Sequence, residues 1–581
     1  VITLTTLRFS MQRTLCQLLC LIVSAFSYSP RIVTAQTQPE STRQAQRLHE
    51  QETLERQFLE QTPDARIPTL TAIDQPKNAL LPKEIPCFTI HSFVLVNANT
   101  PHTSANPLPH AIQQLFTITS AALPQFQGQC IGQQGIRHIL QRLTERVVAN
   151  GYATTRFTMA QQDLSTGTLT ITMIPGIVSM INFDDQTASS YWRSAFPLRT
   201  GDVLNLRDLE QGLEQMQHAS SQDAVLDIRP GIQSGESEIV IHKQNTHPWH
   251  AILTFDNSGS MYTGKYQLGL HLGYDNLLDR NDVLSFGVTS NVNALHSAQG
   301  SQSTYLAYWL PYGYWTLNVW AYFSQYKETA LGEMGALHTD GDSSTAEVSA
   351  HYLFHRNQTQ KNSVQLRIGK RWGHTLLEGT SISNQQRNTH YLELGFMHTH
   401  YLGSAQLDLY AAQRLSYGRY IRATSTPNVL THYGMQMIDA SLSLPFKHLH
   451  HAYFFTTSIH AQHSHKALYA TEHLGIGSRY SVRGFDEITT LNAESGFYWR
   501  NEISRALGAS AHMIYAGLDI GQLYGANISH LPGHQLSGAT IGLRGAYQST
   551  QYDLAISMPL SKPKDMHTHT PNLTFSLSHH F

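Results

Sequence analysis

From about residue 247 onward, apolar and polar positions alternate with a period of two. Leu268, Leu270, Leu272 and Tyr274 interleave with Gln267, Gly269, His271 and Gly273, and Val364, Leu366 and Ile368 interleave with Gln365, Arg367 and Gly369. Tyr552, Leu554, Ile556 and Met558 repeat the scheme. A period of two sends each kind of residue to its own face of a strand. A soluble sandwich would also alternate, but here the polar face carries Arg367 and Asp553. Aromatic residues such as Tyr314, Trp315 and Tyr322 gather near segment ends, as interfacial girdles do. About 335 residues at roughly 21 per strand and turn predict about 16 antiparallel strands. The fold class so read is mainly β, a transmembrane barrel.

Upstream the period lengthens. Ile136, Ile139, Leu140, Leu143 and Val147 predict one helix face ended by Asn150-Gly151, with strands at Thr89 to Val96, Gly167 to Ile174 and Ile177 to Phe183. In a second unit, Asn205 and Asp208 are expected to cap a helix whose apolar face is Leu206, Leu209, Leu213 and Met216. Pro230-Gly231 and the run Gly235 to Ile241 add a turn and a strand. Units of this kind present a sheet edge that can accept an extended peptide as an added strand.

Ahead of these units, Ser41-Thr42-Arg43-Gln44 reads as a capping box opening a helix that Pro63 would close. Its apolar stripe (Ala45, Leu48, Leu54, Phe58, Leu59) is thin. A nearly all-polar helix needs a wet or bridging setting, and a disordered tail is the alternative. Thr62 to Pro86, with five prolines, reads as a linker.

Composition narrows the class. The chain has 581 residues, too many for one ordinary core, only 14% of them charged, with a net charge of −2. That charge gives no sign of a nucleic-acid partner. Mean hydropathy is −0.28, and after residue 35 no run of 18 apolar residues could cross a bilayer as a helix. A barrel stays open, because alternating strands average out as polar.

Met11-Gln12-Arg13, the apolar Leu15 to Phe26 and the small-residue site Val33-Thr34-Ala35 read as a signal peptide cleaved after Ala35, with Val1 to Ser10 upstream of the start. A membrane anchor is the alternative, although Pro30-Arg31 interrupts the stretch. Of four cysteines, Cys16 and Cys20 would leave with the signal. Cys87 and Cys130 then form an even pair in an oxidising compartment, so a disulfide is expected over two free thiols.

Two short motifs say most about function. Leu474-Gly-Ile-Gly-Ser-Arg-Tyr-Ser-Val-Arg-Gly-Phe485 is followed by Gly517-Leu518-Asp519-Ile520-Gly521, and the chain ends on Phe581. This order resembles the paired signature of the two-partner secretion transporters (the TpsB, or haemolysin secretion/activation, family) of the outer-membrane assembly superfamily. The resemblance implies that Val482, Arg483, Gly484 and Phe485 form the tip of a long extracellular loop folded back into the barrel. There Arg483 would meet Asp519 on the wall, between Gly517 and Gly521. The contact would serve as a latch as well as a brace, or as a brace alone.

Other segments extend the likeness. Gly151 to Arg156 with Gln162 to Leu169 is similar to the family's first POTRA domain, and Leu204 to Gln211 to its second. Asp256-Asn257-Ser258-Gly259, Thr263-Gly264, Asp275-Asn276 and Asn281-Asp282 are spaced as at a TpsB barrel start. The terminal strand ending in Phe581 resembles a barrel-insertion signal. The implied plan is a signal peptide within 1–35, a lumen helix at 36–61, a linker at 62–86, POTRA domains at 87–176 and 177–246, and a 16-stranded barrel at 247–581. The protein would lie in the outer membrane of a Gram-negative bacterium with its POTRA domains in the periplasm. Implied partners are outer-membrane lipid, the barrel-assembly machinery and a large TpsA-type exoprotein, of adhesin, haemolysin or toxin type. Gln162, Asp163, Leu164, Arg207 and Asp208 are candidates for binding it, and folding of the emerging cargo would drive export.

Catalytic chemistry has little support. The 33 histidines include His398/His400, His448/His450/His451, His463/His465 and His567/His569, but neither a Cys nor a Glu at zinc spacing completes a site. Solvated loop histidines are the better reading, with metal or haem capture as the alternative. Neither a Gly-x-Ser-x-Gly elbow nor a Walker loop is present. The expectation is a transporter that is not an enzyme, with no metal or cofactor. A factor inserting other barrels would be expected to carry three to five POTRA domains, and a diffusion porin or haem receptor would not need the paired signature.

Overall fold

The alternating segments become a wall. In the computed structural model, which describes residues 40–60, 64–67, 81–98, 109–184, 192–245, 247–292, 299–332, 335–382, 386–418, 432–486, 490–508, 511–525 and 528–581, sixteen long antiparallel strands close into a barrel. They run from Trp249–Asp256 to Asn572–His580. The expected signal peptide and residues 68–80 of the expected linker lie outside the described residues. Among those described, no helix is long and apolar enough to cross a membrane.

Side-chain direction follows the period. Leu268, Leu270 and Leu272, Val364, Leu366 and Ile368, and Leu554, Ile556 and Met558 all face outward, while Arg367, Arg371, Glu347, Glu393 and Arg414 are buried inward. The aromatic expectation needs correction. Trp315 lies on the outer wall, stacked on Tyr352 at 4.4 Å, but Tyr322 is buried inside. In the strand Trp315–Gly332 the exposed positions are Trp315, Leu317, Val319 and Phe323, so strict alternation sends Tyr322 to the lumen.

The first and last strands pair over only five residues, Ser576↔Asp256 to His580↔Ile252. Beyond them Asn257 extends the seam with its side chain. Its amide donates to the Leu573 carbonyl at 2.8 Å, and its oxygen accepts from the Phe575 N–H at 2.9 Å. Arg479, from the loop inside the barrel, donates to that same oxygen at 2.7 Å and to the Asn257 carbonyl at 2.8 Å. The Phe581 N–H closes the other end on the Ala251 carbonyl at 3.0 Å.

Two α/β units precede the wall, each in the order strand, helix, helix, strand, strand. The first comprises Ser92–Asn97, His110–Ser120, Gln133–Ala149, Arg156–Thr158 and Thr168–Ile174, with the last strand central and parallel to the first. The helix Gln133–Ala149 buries Ile136, Ile139, Leu143 and Val147 and ends at Asn150, as the spacing predicts. Cys87 and Cys130 are bonded, their Cα atoms 5.3 Å apart, beside the pair Thr89↔Cys130. The second unit comprises Ile177–Phe183, Trp192–Ala195, Leu206–Gln217, Gln222–Pro230 and Glu236–Asn245. Asn205 caps Leu206–Gln217 by accepting from the Arg207 N–H. Asp208, expected to share that task, is one turn too far along and turns elsewhere.

Candidate functional site

Between the strands His451–His463 and Ser495–Ala506 the chain turns back into the barrel, and the two sequence motifs meet there. The Arg483 guanidinium donates to both Asp519 carboxylate oxygens, at 2.6 and 2.8 Å, and the Arg483 backbone N–H adds a third bond at 3.0 Å. Period two explains the second motif. Gly517, Asp519 and Gly521 point inward while Leu518 and Ile520 face lipid. A Cβ on Gly517 would sit 2.3 Å from an Arg483 nitrogen, and one on Gly521 would sit 2.7 Å from Val482. The glycines are the space the loop occupies. Gly484, at φ 111°, allows the turn, and its Cα lies so close to the wall that a Cβ would meet the Met558 carbonyl at 2.5 Å. Phe485 and Val482 complete a dry cluster inside the barrel with Leu474, Ile476, Leu491 and Leu523.

Sequence reasoning missed a third partner. Glu502 accepts from Arg483 at 2.7 Å and from Arg544 at 2.8 Å, and Arg544 also pairs with Asp553 at 3.2 Å. With Tyr515 and Arg500 these groups line a cavity of about 320 Å³ beneath the loop tip.

The helix Glu40–Leu59 threads the same lumen. Arg56 pairs with Glu347 at 3.1 Å, Arg367 with Glu60 at 2.7 Å, and Tyr322 donates to the Leu48 carbonyl at 3.3 Å. Leu59 packs on an inner-wall aromatic cluster containing Tyr305, Trp309 and Trp320. Ala45, Leu54 and Phe58, and the side chains of Ser41, Thr42 and Arg43 from the expected capping box, lie outside the described residues, while Gln44 is buried. Helix and loop are joined through Arg371, which donates to His49 and to the loop's Glu472, each at 3.0 Å. Glu472 is also held by Arg387 and by Arg414, the latter at 3.5 Å. Nearly every attachment of this plug is polar. A polar contact can exchange protein partners for water at small net cost, whereas an apolar seat cannot.

The second α/β unit docks on the short turns at the opposite end of the wall. Arg356, at the end of the strand Gly335–Arg356, pairs with Glu214 at 2.7 and 2.9 Å, with Glu210 at 2.9 Å, and donates to the Ala65 carbonyl at 2.6 Å. Residues 64–67, which follow the lumen helix, are thereby clamped. The Ala65 N–H donates to Glu214 at 3.0 Å and the Ile67 N–H to Glu210 at 2.9 Å. Lys361 adds bonds to Asp64 and Glu214. One arginine thus holds the α/β unit and the tail of the plug together.

The candidate cargo residues divide. Arg207 and Asp208, expected to face cargo, face the barrel contact instead. Arg207 is buried in a pair with Glu210 at 2.5 Å, and Asp208 accepts the Tyr314 hydroxyl. Burial pushes the Asp208 carboxyl up to about 6, against the lowering effect of the Tyr314 hydroxyl and with a further rise from Asp202. Tyr314, read as a girdle residue, is the other half of that contact. Asp163 is exposed and caps the turn Leu164–Thr166. Gln162 pairs through its amide with the Thr170 backbone at 2.7 and 2.8 Å, like one residue of an added strand. Phe581 is exposed at the end of the last strand. Among the described residues no group of three or more His, Cys, Asp or Glu converges as a metal site.

Residues 235–545 match the family described as haemolysin secretion/activation protein ShlB/FhaC/HecB, 177–230 match a POTRA domain and 116–176 a POTRA domain of the ShlB type. The chain is 36% identical over 516 residues to outer membrane transporter CdiB-2 of Burkholderia pseudomallei, covering 86% of this chain and 88% of that one. To hemolysin transporter protein ShlB of Serratia marcescens it is 26% identical, covering 78% and 82%. The solved structure of CdiB from Acinetobacter baumannii superposes with a TM-score of 0.82 at 25% identity, over 94% of this chain and 100% of that one. The wall, the two POTRA units and the paired motifs agree with these likenesses: the chain belongs to the haemolysin secretion/activation family of outer-membrane two-partner secretion transporters.

Proposed function

We propose that the barrel conducts one large, unfolded TpsA-type exoprotein from the periplasm to the cell surface, and that the Arg483–Asp519 contact is a latch as well as a brace. The observation that carries this reading is the largely polar attachment of the lumen helix, together with the Arg483–Asp519 fork that fixes the loop tip beside its apolar cluster. The divisions 36–61, 87–176, 177–246 and 247–581 then act as plug, first receptor domain, docking domain and conduit. Gln162, Asp163 and Leu164, in the first unit, are the receptor residues we assign to cargo. Transport of this kind uses no catalytic residue, and Phe581 serves the barrel-assembly machinery as its insertion signal. The test is co-expression with the very large secreted protein expected in the neighbouring reading frame. Surface display of that protein should require this chain, and display undiminished in its absence would overturn the proposal.

A further inference from the structure

On the outer wall, near the end opposite the POTRA units, three strands place a row of polar rings above a row of apolar side chains. His390 pairs laterally with Tyr417 and Tyr417 with His432, while Leu392 pairs with Leu415 and Leu415 with Gly434. The lower row therefore ends in a residue without a side chain, and a notch opens there. Neighbouring structure deepens it. Pairing with the following strand begins only at Gln436↔His463, so the chain from His432 to Met435 has a strand on one side only. Ser464 and Lys466 fill that edge, donating to the Gly434 carbonyl at 3.0 Å and to the His432 carbonyl at 3.2 Å. The result is a groove of about 540 Å³, apolar below and basic above.

Its depth and charge identify an occupant. The second POTRA unit packs on the turns near Gly313 and Arg280, which makes that end periplasmic and the groove's end the cell surface. Leu415 and Tyr417 are more than half exposed there, in the layer of outer-leaflet acyl chains. Lys466 stands at the rim with ammonium protons beyond the one it gives the His432 carbonyl, and the His390 imidazole lines the same groove and can donate an N–H bond. The acids nearest in the fold, Glu393 and Glu472, point into the lumen and are paired with Arg414.

We infer that this groove binds a phosphorylated glycolipid of the outer leaflet. An acyl chain lies over Leu392, Leu415 and Gly434, and a phosphate meets Lys466 and His390. An ammonium–phosphate contact is charge-assisted and is strengthened at the edge of a low-dielectric layer.

The test uses the full chain, purified from outer membranes and placed in nanodiscs, with bound lipid A counted by native mass spectrometry. Lys466→Glu should weaken lipid A binding about tenfold, the worth of one charge-assisted bond. Gly434→Leu fills the notch from a backbone position where a Cβ meets nothing closer than 3.4 Å, and should act similarly. Heat-modifiable mobility establishes that each variant is a folded barrel, and the remote wall substitution Leu554→Ala should bind as the parent does. Parental affinity in a folded Lys466→Glu barrel would overturn the inference. So would equal affinity of the parent for phosphatidylglycerol, which would make the ligand any anionic lipid.

Discussion

Arg356 meets Glu214 through two parallel N–H bonds, at 2.7 and 2.9 Å, across the junction between the second POTRA unit and the barrel wall. The same guanidinium holds the Ala65 carbonyl, so the junction and the tail of the lumen helix share one donor.

Arg356→Met should break this coupling. It leaves Glu210 and Glu214 buried without their main cation, at a cost of about 3–5 kcal/mol. Expected outcomes are faster proteolysis between residues 60 and 81 and a larger fraction of open channels in planar bilayers. Parental values in both measurements would show that Lys361 alone suffices.

Arg483→Ala should abolish or sharply reduce cargo secretion while leaving a barrel in the membrane, because Asp519 loses its two strongest bonds. Asp519→Ala should match it, and the double variant should be no worse than either single one. Surface cargo is assayed beside heat-modifiable barrel in isolated membranes. Loss of the barrel itself would reduce the contact to a brace, and normal export by both single variants would remove the latch.

Removing residues 36–61 should raise single-channel conductance, since the helix occupies the lumen with Arg56 and Glu60 on the wall. Unchanged conductance would mean that the loop alone seals the pore.

Asp208 gives the POTRA–barrel junction a pH dependence of definite sign. Its carboxyl is pushed up to about 6 in the folded junction against 3.8 when unperturbed. Folded protein therefore binds more protons between these values, and the junction's stability falls as pH rises through that window, then levels off. Asp208→Asn, which can still accept the Tyr314 hydroxyl, should flatten the profile and strengthen the junction at neutral pH. Melting curves from pH 4 to 8 make the comparison.

Reduction of Cys87–Cys130 should destabilise the first POTRA unit by about 3–4 kcal/mol, the loop-closure entropy of a link of this length. Alkylation without reductant should label neither cysteine. Labelling of both would contradict the bond.

The paired motif could be found in sequence because each half is local: glycine at i, carboxylate at i+2 and glycine at i+4 describe one inward strand face without any knowledge of its neighbours. Glu502, Arg356 and Glu472 could not. A charged residue on an inward face states only that it has a partner, and the partners arrive from 19 to 146 residues away through strand register. Tyr322 was readable and misassigned. Counting in twos from Trp315 sends it inward, but its aromatic ring suggested the membrane surface. Arg207 and Asp208 sit in a helix whose apolar face was legible. What the other face meets was not, because that depends on a turn more than 100 residues later.

The short seam between the first and last strands bears on the order of events in biogenesis. Its regular strand pairing stops at Asp256, and beyond it Asn257 bonds across through its backbone N–H, 3.4 Å from the Phe575 carbonyl, and through its side chain, which Arg479 holds from inside. A nascent barrel that closes around an empty lumen forgoes the two Arg479 bonds that hold Asn257 in place. Seating the loop therefore reinforces the seam, and a barrel that lacks its loop is weakest between the strands Trp249–Asp256 and Asn572–His580.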